Sequence, residues 1–476
     1  MIGLLGTLEM ARQSLGNAQQ GVQLAGHNLA NAANPAYARQ RLRLQTAESI
    51  TTPVGSEGSG AKVAGFEQVR NATLDASIIT ENSIGGFLEA KQRALNQAQV
   101  YLGQMIDRQS TDASLSQHEG VAEGLNNFFG ALQSLSASPT STADRQMVLL
   151  QAQQLAERFN SFDSKLGALR TSLNTEAPHQ TDQANRLLTE IASLSKTISQ
   201  TETGEFARAN EVRDRRQEKL EELGALVDFT ATTNNNKLNV SIGGIALITD
   251  DFQVDKLVAV ADSGGMYQIK SNTAILTSGA AAPVLTLNGG EIKGTTDARD
   301  GALLTLRTDL NTLASNLITQ INAIHTTGYD LSGVNTPGLT LFTGTGAADI
   351  KLNTDLANAP EKLQMAGSPN PGDNTKALAL SRLTTTQIAG LSNRTFNDSY
   401  NYTVTNFGHE LRSVEVKIAD QETVQRLLTR QRESVSGVSI DEEMANLITF
   451  QRAYQASAKL ITVMDEMLAE IIHMGN

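Results

Sequence analysis

The chain has no cysteine and no tryptophan among its 476 residues, and only 4% of its residues are aromatic. The missing thiols exclude disulfide bonds, thiolate metal sites and a cysteine nucleophile together. With so few aromatic rings, any core must be built from Leu, Ile, Val and Ala. Such cores favour the packing of helix on helix over a deep pocket lined with aromatic side chains.

Positive charge is also scarce, because 38 Lys and Arg residues stand against 50 Asp and Glu residues and leave a net charge of −12. Phosphate backbones are bound by clustered basic faces, so nucleic acid is not an expected partner. The N-terminal stretch up to Gly16 has Arg12 as its one basic residue and lacks the apolar core of a signal peptide. No apolar run approaches the about 20 residues that cross a bilayer, and we therefore expect a soluble chain without membrane insertion.

Motifs of catalysis and cofactor binding are missing too. The six histidines are scattered, with no pair at the i, i+4 spacing of a helical metal site, and no Gly-rich phosphate loop or GxSxG elbow occurs. Asp250, Asp251 and Asp255 are typical of solvated turns. Glu442 and Glu443 stand where negative charge favours the start of a helix. The sequence therefore predicts no catalytic residue, cofactor or metal, and no enzyme.

Heptad patterns occur at both ends of the chain. Spacings of four and three residues connect apolar positions, and the C-terminal series has Gln451 and Asp465 as its polar interruptions. The N-terminal series is Leu4, Leu8, Ala11, Leu15, Ala18, Val22, Ala25 and Leu29, and the C-terminal series is Ile440, Met444, Leu447, Tyr454, Ala458, Ile461, Leu468 and Ile472. Each series predicts one coiled-coil helix. Since a narrow apolar seam does not stabilise an isolated helix in water, we expect the two ends to pair.

Helical periodicity continues over residues 84–228, with Pro139 and Pro178 as predicted helix breaks. It changes to period two in KLNVSIGGIALIT (237–249), where Gly243 and Gly244 are typical of a hairpin turn. The sequence thus predicts a mainly α fold with a small β domain. Its parts are paired N- and C-terminal coiled-coil helices, a long helical bundle and an inserted β lobe.

The same patterns predict five segments. They are a coiled-coil segment at 1–35, a linker and helical bundle at 36–228, a small β domain at the tip at 229–297, return helices with a loop-rich stretch at 298–434, and a second coiled-coil segment at 435–476.

The first heptad helix closes on an unusual stretch, GHNLANAANPAYARQ (26–40), which contains Asn28, Asn31, Asn34, Pro35 and Tyr37. Pro35 prevents continuation of the helix and biases Asn34 towards extended backbone. One asparagine and the proline would be enough to end a helix. The additional amides and the tyrosine indicate a second role.

Together, the heptads and this stretch resemble the axial rod, hook and hook-associated proteins of the bacterial flagellum. Those proteins close the first helix with a segment like SNNIANANTPGYSRQ, and here Ala36 stands where that segment has glycine. Four further segments resemble the hook-associated members in particular. They are SGVSIDEEMANLITFQRAYQASAKLITVMDEML (436–468), GGEIKGTTDARD (289–300), GYDLSGVN (328–335) and GDNTKALAL (372–380).

The resemblance implies a structural subunit of the junction between hook and filament. It implies a ring of identical copies, with the hook protein on one side and a second junction protein or the filament on the other. It further implies export through the flagellar type III apparatus without a cleaved signal peptide, an extracellular location, and a cytoplasmic chaperone on the C-terminal segment.

In this interpretation the heptad residues form the assembly seam, and Asn28, Asn31, Asn34, Pro35 and Tyr37 form a joint between layers of the structure. Two alternatives remain open: another axial protein of the rod or hook type, and a coiled-coil surface adhesin with the β lobe as its binding tip.

Overall fold

The computed structural model describes residues 4–34, 36–52, 55–102, 120–204, 208–370 and 372–474. Helices predominate in these ranges, and the predicted mainly α fold with a small β region is confirmed. The helices are α1 (Leu4–Ala30), α2 (Ala72–Tyr101), α3 (Val121–Ala137), α4 (Thr142–Thr201), α5 (Asn210–Leu226), α6 (Asn272–Ser278), α7 (Gly290–Asp297), α8 (Leu303–His325), α9 (Thr354–Ala357), α10 (Thr375–Arg382), α11 (Phe396–Ser436) and α12 (Ile440–Met474). No helix of the described ranges is both long and apolar enough to cross a membrane.

The strands are short and antiparallel. They are β1 (Gln40–Thr46), β2 (Ile50–Thr52), β3 (Gly55–Glu57), β4 (Ala61–Gln68), β5 (Thr230–Asn234), β6 (Lys237–Ile242), β7 (Ile245–Thr249), β8 (Phe252–Gln253), β9 (Leu257–Ala261), β10 (Tyr267–Ser271), β11 (Phe342–Thr343) and β12 (Lys351–Leu352). Strands β5 to β8 form one four-stranded sheet, while β1–β4, β2–β3, β9–β10 and β11–β12 form separate pairs. Gly243 and Gly244 both have positive φ in the turn between β6 and β7, as the hairpin prediction requires.

Two apolar cores organise the body of the molecule. One, which we call the distal core, is formed by α3, by α8, by the second half of α2 and by the first halves of α4 and α11. The proximal core combines the first half of α2, the second half of α4, α5 and the sheet of β5 to β8. Helices α2 and α4 contribute to both cores and hold the two halves in line.

Helix α4 corrects the prediction that Pro178 breaks a helix, because α4 runs for 60 residues with Pro178 inside it. Pro139, the other predicted break, does separate α3 from α4. A proline inside a helix removes one backbone hydrogen bond and costs about 3 kcal/mol. Burial on both sides offsets this cost, with Leu169 in the distal core and Ala184 in the proximal core.

The β lobe lies beside α4, and its place at the tip of the molecule stays a prediction. Asn185 and Asn174 on α4 exchange hydrogen bonds of 2.7 to 2.9 Å with Leu257, Gly265 and Tyr267. These bonds hold the lobe against the half of α4 that leads towards α5.

The segment after Pro35, predicted as linker, contains the strands β1 to β4. The pairing of β1 with β4 and of β2 with β3 makes one antiparallel arm. In β1, which reads QRLRLQT, polar and apolar residues alternate only over Arg41 to Gln45, and most side chains of the strand are exposed. The strand pattern that sequence reasoning relies on is therefore weak here.

His325 fixes the loop-rich stretch that follows α8. Its Nδ1 lies 2.8 Å from the carbonyl oxygen of Leu339, and its Nε2 accepts a hydrogen bond of 3.2 Å from the backbone N–H of Gln364. The ring is fully buried. Burial lowers the pKa of His325 to about 4, so the ring is neutral at physiological pH.

Replacing Pro178 with Ala is expected to raise the free energy of unfolding by about 1–3 kcal/mol, because the helix already has the required backbone geometry and regains a hydrogen bond. Denaturant titration followed by circular dichroism measures the change. Pro139→Ala is the control, since this proline lies outside the helix. Equal stability of Pro178→Ala and the wild type would contradict the account of α4.

His325 also predicts a pH dependence. The ring is protonated more easily in the unfolded chain, so its stabilising effect is complete above about pH 6.5 and is lost as the pH falls towards 4, by up to roughly 3 kcal/mol. The stability difference between the wild type and His325→Gln should therefore shrink between pH 7 and pH 4. His409→Gln, at an exposed histidine, is the control for the substitution itself. A constant difference for His325→Gln would show that the ring is not held neutral.

Candidate functional site

Helices α1 and α12 pack against each other in opposite directions. Asn28 contacts Glu443 near the start of α12, and Ser14 contacts Ser457 near its middle, with a distance of 3.0 Å between the two hydroxyl oxygens. Between them, Gly21 lies directly under the ring of Phe450. The predicted pairing of the chain ends therefore takes the form of an antiparallel helix pair.

The N-terminal heptad residues lie along this contact. Ala11, Ala18 and Ala25 are buried. The larger side chains Leu4, Leu8, Leu15 and Val22 are half-buried, and Leu29 at the end of α1 is exposed.

On α12, the face that packs against α1 is displaced from the predicted heptad series. The buried residues of α12 are Glu443, Ser457 and Met464. Of the predicted residues, Leu447, Ile461 and Leu468 are half-buried beside this face, while Ile440, Met444, Tyr454 and Ile472 are exposed. Part of the apolar surface of α12 therefore has no partner within the described chain.

Asn28 is the centre of the polar contacts at one end of the pair. It is 1% exposed, and both of its amide hydrogens and both acceptor positions of its oxygen are used. Its Nδ2 donates to the carbonyl oxygen of Gln40 at 2.9 Å and to Oε2 of Glu443 at 3.1 Å. Its Oδ1 accepts from the Tyr37 hydroxyl at 2.7 Å and from the Gln40 backbone N–H at 3.1 Å. One side chain thus connects α1, the turn after it, β1 and α12.

Tyr37 is buried beside Asn28, and its hydroxyl also lies 3.0 Å from Nδ1 of His27. Because the hydroxyl donates to Asn28, the His27 nitrogen is the donor in this second contact. Burial raises the pKa of Tyr37, and the nearby carboxylates of Asp214 and Glu443 raise it further. The phenol therefore stays protonated and remains a hydrogen-bond donor.

An ion pair joins the same region to the start of α12. Arg39 donates from Nε to Oε1 of Glu443 at 2.8 Å and from Nη1 to Oε2 of Glu442 at 2.6 Å. The Glu443 side chain is 4% exposed and that of Arg39 is 11% exposed. The backbone N–H of Arg39 also donates to the carbonyl oxygen of Ser436. With its charge buried and paired, Glu443 does more than favour the start of a helix.

The arm and α5 connect this cluster to the body. Asn210 at the start of α5 donates to Oε1 of Gln40 at 3.0 Å. Gln68 at the end of β4 and Arg70 donate to Oδ1 of Asp214 on α5, at 2.9 and 2.5 Å. Arg70 also donates to Asp75 in the first turn of α2. The helix pair is therefore attached to the body by buried polar contacts and not by a flexible linker.

We call this polar cluster the joint. Its members are Asn28, Tyr37, Arg39, Gln40, Gln68, Arg70, Asp214, Asn210 and Glu443.

The other predicted joint residues contribute locally. Asn31 donates from Nδ2 to the carbonyl oxygen of His27, one turn earlier in α1. Asn34 is exposed and accepts from the backbone N–H of Ala36 at 3.1 Å, which closes a tight turn. Pro35 lies outside the described residues.

Comparison with known proteins gives the family. A model of the flagellar hook-associated protein FlgK helical domain matches residues 108–342, and a model of the flagellar basal body rod FlgEFG protein C-terminal region matches residues 430–474. Flagellar hook-associated protein 1 of Bacillus subtilis is 28% identical over 98% of this chain and 97% of its own length. The chain belongs to the FlgK family of flagellar hook-associated proteins.

Two further relatives agree. Flagellar hook-associated protein 1 of Escherichia coli is 23% identical and that of Salmonella typhimurium 22% identical, each over 98% of this chain. A solved structure of the flagellar hook junction protein FlgK from Burkholderia pseudomallei superimposes with a TM-score of 0.64. It covers 76% of this chain and 100% of that chain at 16% sequence identity, and so supports the fold.

Membership in the FlgK family makes the chain a structural protein of the hook–filament junction, which assembles with other axial components of the flagellum. The joint and the helix pair are thus the candidate functional site. In the described ranges no three His, Asp or Glu side chains gather as a metal site.

Sequence reasoning missed several members of the joint. Glu443 was interpreted only through its position in the first turn of α12, although it stands seven residues before Phe450 and fourteen before Ser457. A carboxylate in one heptad row with an aromatic residue is a usable signal for a charge at a helix contact. Asp214 and Asn210 carry no such signal, because they reach the joint only through the packing of α5 against the arm.

Replacing Asn28 with Ala would leave the Tyr37 hydroxyl, both backbone groups of Gln40 and one oxygen of Glu443 without this partner. Because buried groups without partners cost about 1–3 kcal/mol each, we expect the helix pair to open more readily by at least about 2 kcal/mol. Hydrogen exchange should then show faster exchange in α1 and α12 and an unchanged rate in α8.

Asn34→Ala is the matched control, because the Asn34 side chain is exposed and bonds only to the turn. Unchanged protection of α12 in Asn28→Ala would contradict the central role of Asn28.

Proposed function

We propose that the chain assembles into the hook–filament junction through its terminal helix pair, and that the exposed face of α12 packs against the terminal helices of neighbouring copies. One observation carries the proposal. With α1 already in place, α12 still exposes a series of apolar side chains along its length. They are Ile440, Met444, Ile448, Tyr454, Leu460, Val463, Met467, Ile471 and Ile472.

The two helices differ in what they present to solvent. The exposed residues of α1 include Glu9, Arg12, Gln19, Gln20 and Gln23. Soluble proteins rarely leave so many large apolar side chains of one helix uncovered, and such a surface marks an interaction site. This contrast supports α12 as the helix that docks and α1 as the helix that supports it.

The predicted seam residues then have two roles. Leu8, Leu15 and Val22 with Leu447, Ile461 and Leu468 stabilise the pair within one copy. Ile440, Met444, Tyr454 and Ile472 contact other copies. The division agrees with the half-buried state of the first group and the exposed state of the second.

The joint passes forces between the helix pair and the body. Its contacts are charged or polar, buried, and distributed over α1, β1, α2, α5 and α12. A joint of this kind suits a subunit whose helix pair lies in one layer of a tube while its body lies in the next. Within the body, the proposal keeps the predicted segment ends at residues 228, 297 and 434, which separate the helical bundle, the β domain, the return helices and the C-terminal segment.

The partners follow from this arrangement and from the family. Copies of the chain form a closed ring, which contacts the hook protein on one side and a second junction protein or the filament on the other. The subunit reaches this extracellular position by export through the flagellar type III apparatus, with no signal peptide cleaved. Before export, a cytoplasmic chaperone covers the C-terminal segment, whose apolar face would otherwise be exposed in the cell.

The proposal predicts that Met444→Asp or Ile472→Asp abolishes junction assembly while the subunit stays folded and secreted. Both side chains are exposed, 51% and 65% respectively, so a charge there leaves the pairing with α1 intact. A strain that carries either variant as its copy of this protein should secrete flagellin into the medium and fail to swim. Immunoblots of the medium and filament counts by electron microscopy give the measurement.

The matched control is Leu276→Asp on the β lobe, where the leucine is 78% exposed and lies far along the chain from the terminal helices. This strain should assemble filaments normally. Normal filaments in the Met444→Asp and Ile472→Asp strains would show that the exposed face of α12 does not mediate assembly.

A further inference from the structure

We propose that three successive layers of the α1–α12 pair, Ser14–Ser457, Gly21–Phe450 and Asn28–Glu443, set the register in which the two ends of the chain pair. The inference concerns how the pair selects one alignment. It rests on the proposed function only for its biological consequence, which is that each subunit presents the face of α12 at a fixed height relative to the joint.

The three layers follow one another at heptad spacing. From each layer to the next, the residue on α1 moves forward by seven positions while the residue on α12 moves back by seven. Equal and opposite steps are the signature of an antiparallel coiled coil in a single register. The layers therefore lie in one row along the contact face.

The neighbouring heptad rows do not favour this register over one shifted by seven residues. Ala11, Ala18 and Ala25 repeat the same small side chain every seven residues on α1. On α12, the neighbouring row contains Leu447, Tyr454, Ile461 and Leu468, of which Tyr454 is exposed and the other three are half-buried aliphatic residues. A slip by one heptad would put alanine where alanine was and an apolar residue where an apolar residue was. Only a row whose members differ from one another can penalise a slip.

The middle layer is the tightest contact. A Cβ atom at residue 21 would lie 2.6 Å from Cε1 of Phe450 and closer still to two other ring atoms. Only glycine leaves room for the ring at this position. Gly21 is thus a hole on α1 that accepts one large side chain of α12, and neither neighbouring layer offers the same space, since the α1 members there are Ser14 and Asn28.

A slip in one direction would bring Phe450 opposite Asn28. The ring would displace Glu443 and leave one amide hydrogen of Asn28 without an acceptor in a fully buried site. Gly21 would then face Ser457, and the hole would stay empty. Buried polar groups without partners and empty apolar space are both costly.

A slip in the other direction would bring Glu443 opposite Gly21. The carboxylate would be buried without Asn28 and away from Arg39, and burial of an unpaired charge is more costly than any other change in the pair. Phe450 would face Ser14, which has a Cβ atom where the ring needs space. In coiled coils, a buried asparagine is known to fix register in this way.

The absence of cysteine from the chain permits a direct test by disulfide formation in the purified full-length protein. In Ser14→Cys/Ser457→Cys, the sulfur atoms replace hydroxyl oxygens that lie 3.0 Å apart. We expect nearly complete oxidation within one chain, seen as a faster band on a non-reducing gel. In Ser14→Cys/Met464→Cys, which reports the slipped register, the residues are one heptad apart along the pair, so we expect at least tenfold less disulfide.

A large side chain at residue 21 should lower the disulfide yield of the first cysteine pair. Adding Gly21→Phe to Ser14→Cys/Ser457→Cys should reduce the disulfide yield severalfold. Adding Phe450→Gly as well should restore it, because the hole and the ring then exchange helices. The restored variant shows that a low yield reflects lost register and not a misfolded body, and an unchanged circular dichroism spectrum is a second check.

Three outcomes would overturn the proposal. They are equal yields from the two cysteine pairs, a full yield with Gly21→Phe, and disulfides between chains in place of disulfides within one chain. A different result would contradict the proposed function and leave the register proposal intact. If the cysteine pairs give the expected yields but Met444→Asp still supports normal filaments, the register stands and the assembly face does not.

Discussion

Asn28 is buried between four parts of the chain, and each of its hydrogen-bonding groups has a partner there. Water does not reach this buried site and cannot replace these hydrogen bonds. Any movement of α1, the turn after it, β1 or α12 relative to the others therefore breaks several bonds at once. Glu443 depends on the same arrangement, because its charge is tolerated in the interior only beside Asn28 and Arg39. The pairing of α1 with the start of α12 thus depends on this amide together with the ion pair of Arg39 and Glu443.

The consequence is a mechanical one. Residues 415 positions apart in the chain meet at this amide, and the arm and α5 continue the polar contacts into the body. A subunit of the hook–filament junction connects two parts of the flagellum. Polar contacts with fixed partners favour one orientation, whereas an apolar contact of the same size would permit sliding. This property suits the joint, and the uniform alanine row of α1 suits close approach of the helices.

The body is held together by cores of Leu, Ile, Val and Ala with a few phenylalanines. Two apolar cores of modest width lie one after the other, and α2 and α4 pass through both. Helix α4 remains continuous across Pro178 because the cores on either side outweigh the lost hydrogen bond. The β lobe attaches to α4 through the side chains of Asn174 and Asn185, which bond to backbone groups of the lobe. The lobe is therefore fixed to the side of the body.

The sequence by itself determined the helical class, the heptads at both ends, the hairpin at Gly243–Gly244 and the unusual stretch after α1, because each of these depends on periodicity or on the backbone preference of a few neighbouring residues. It did not determine the continuity of α4, the position of the β lobe, the strands of the arm or the face of α12 that meets α1. Those features depend on which surfaces meet after folding. Pro178 lies in a helix because two distant cores bury its flanks, and Glu443 lies inside because Asn28 and Arg39 reach it from the other end of the chain. Local patterns specify elements, and only tertiary contacts between distant residues decide how those elements are joined.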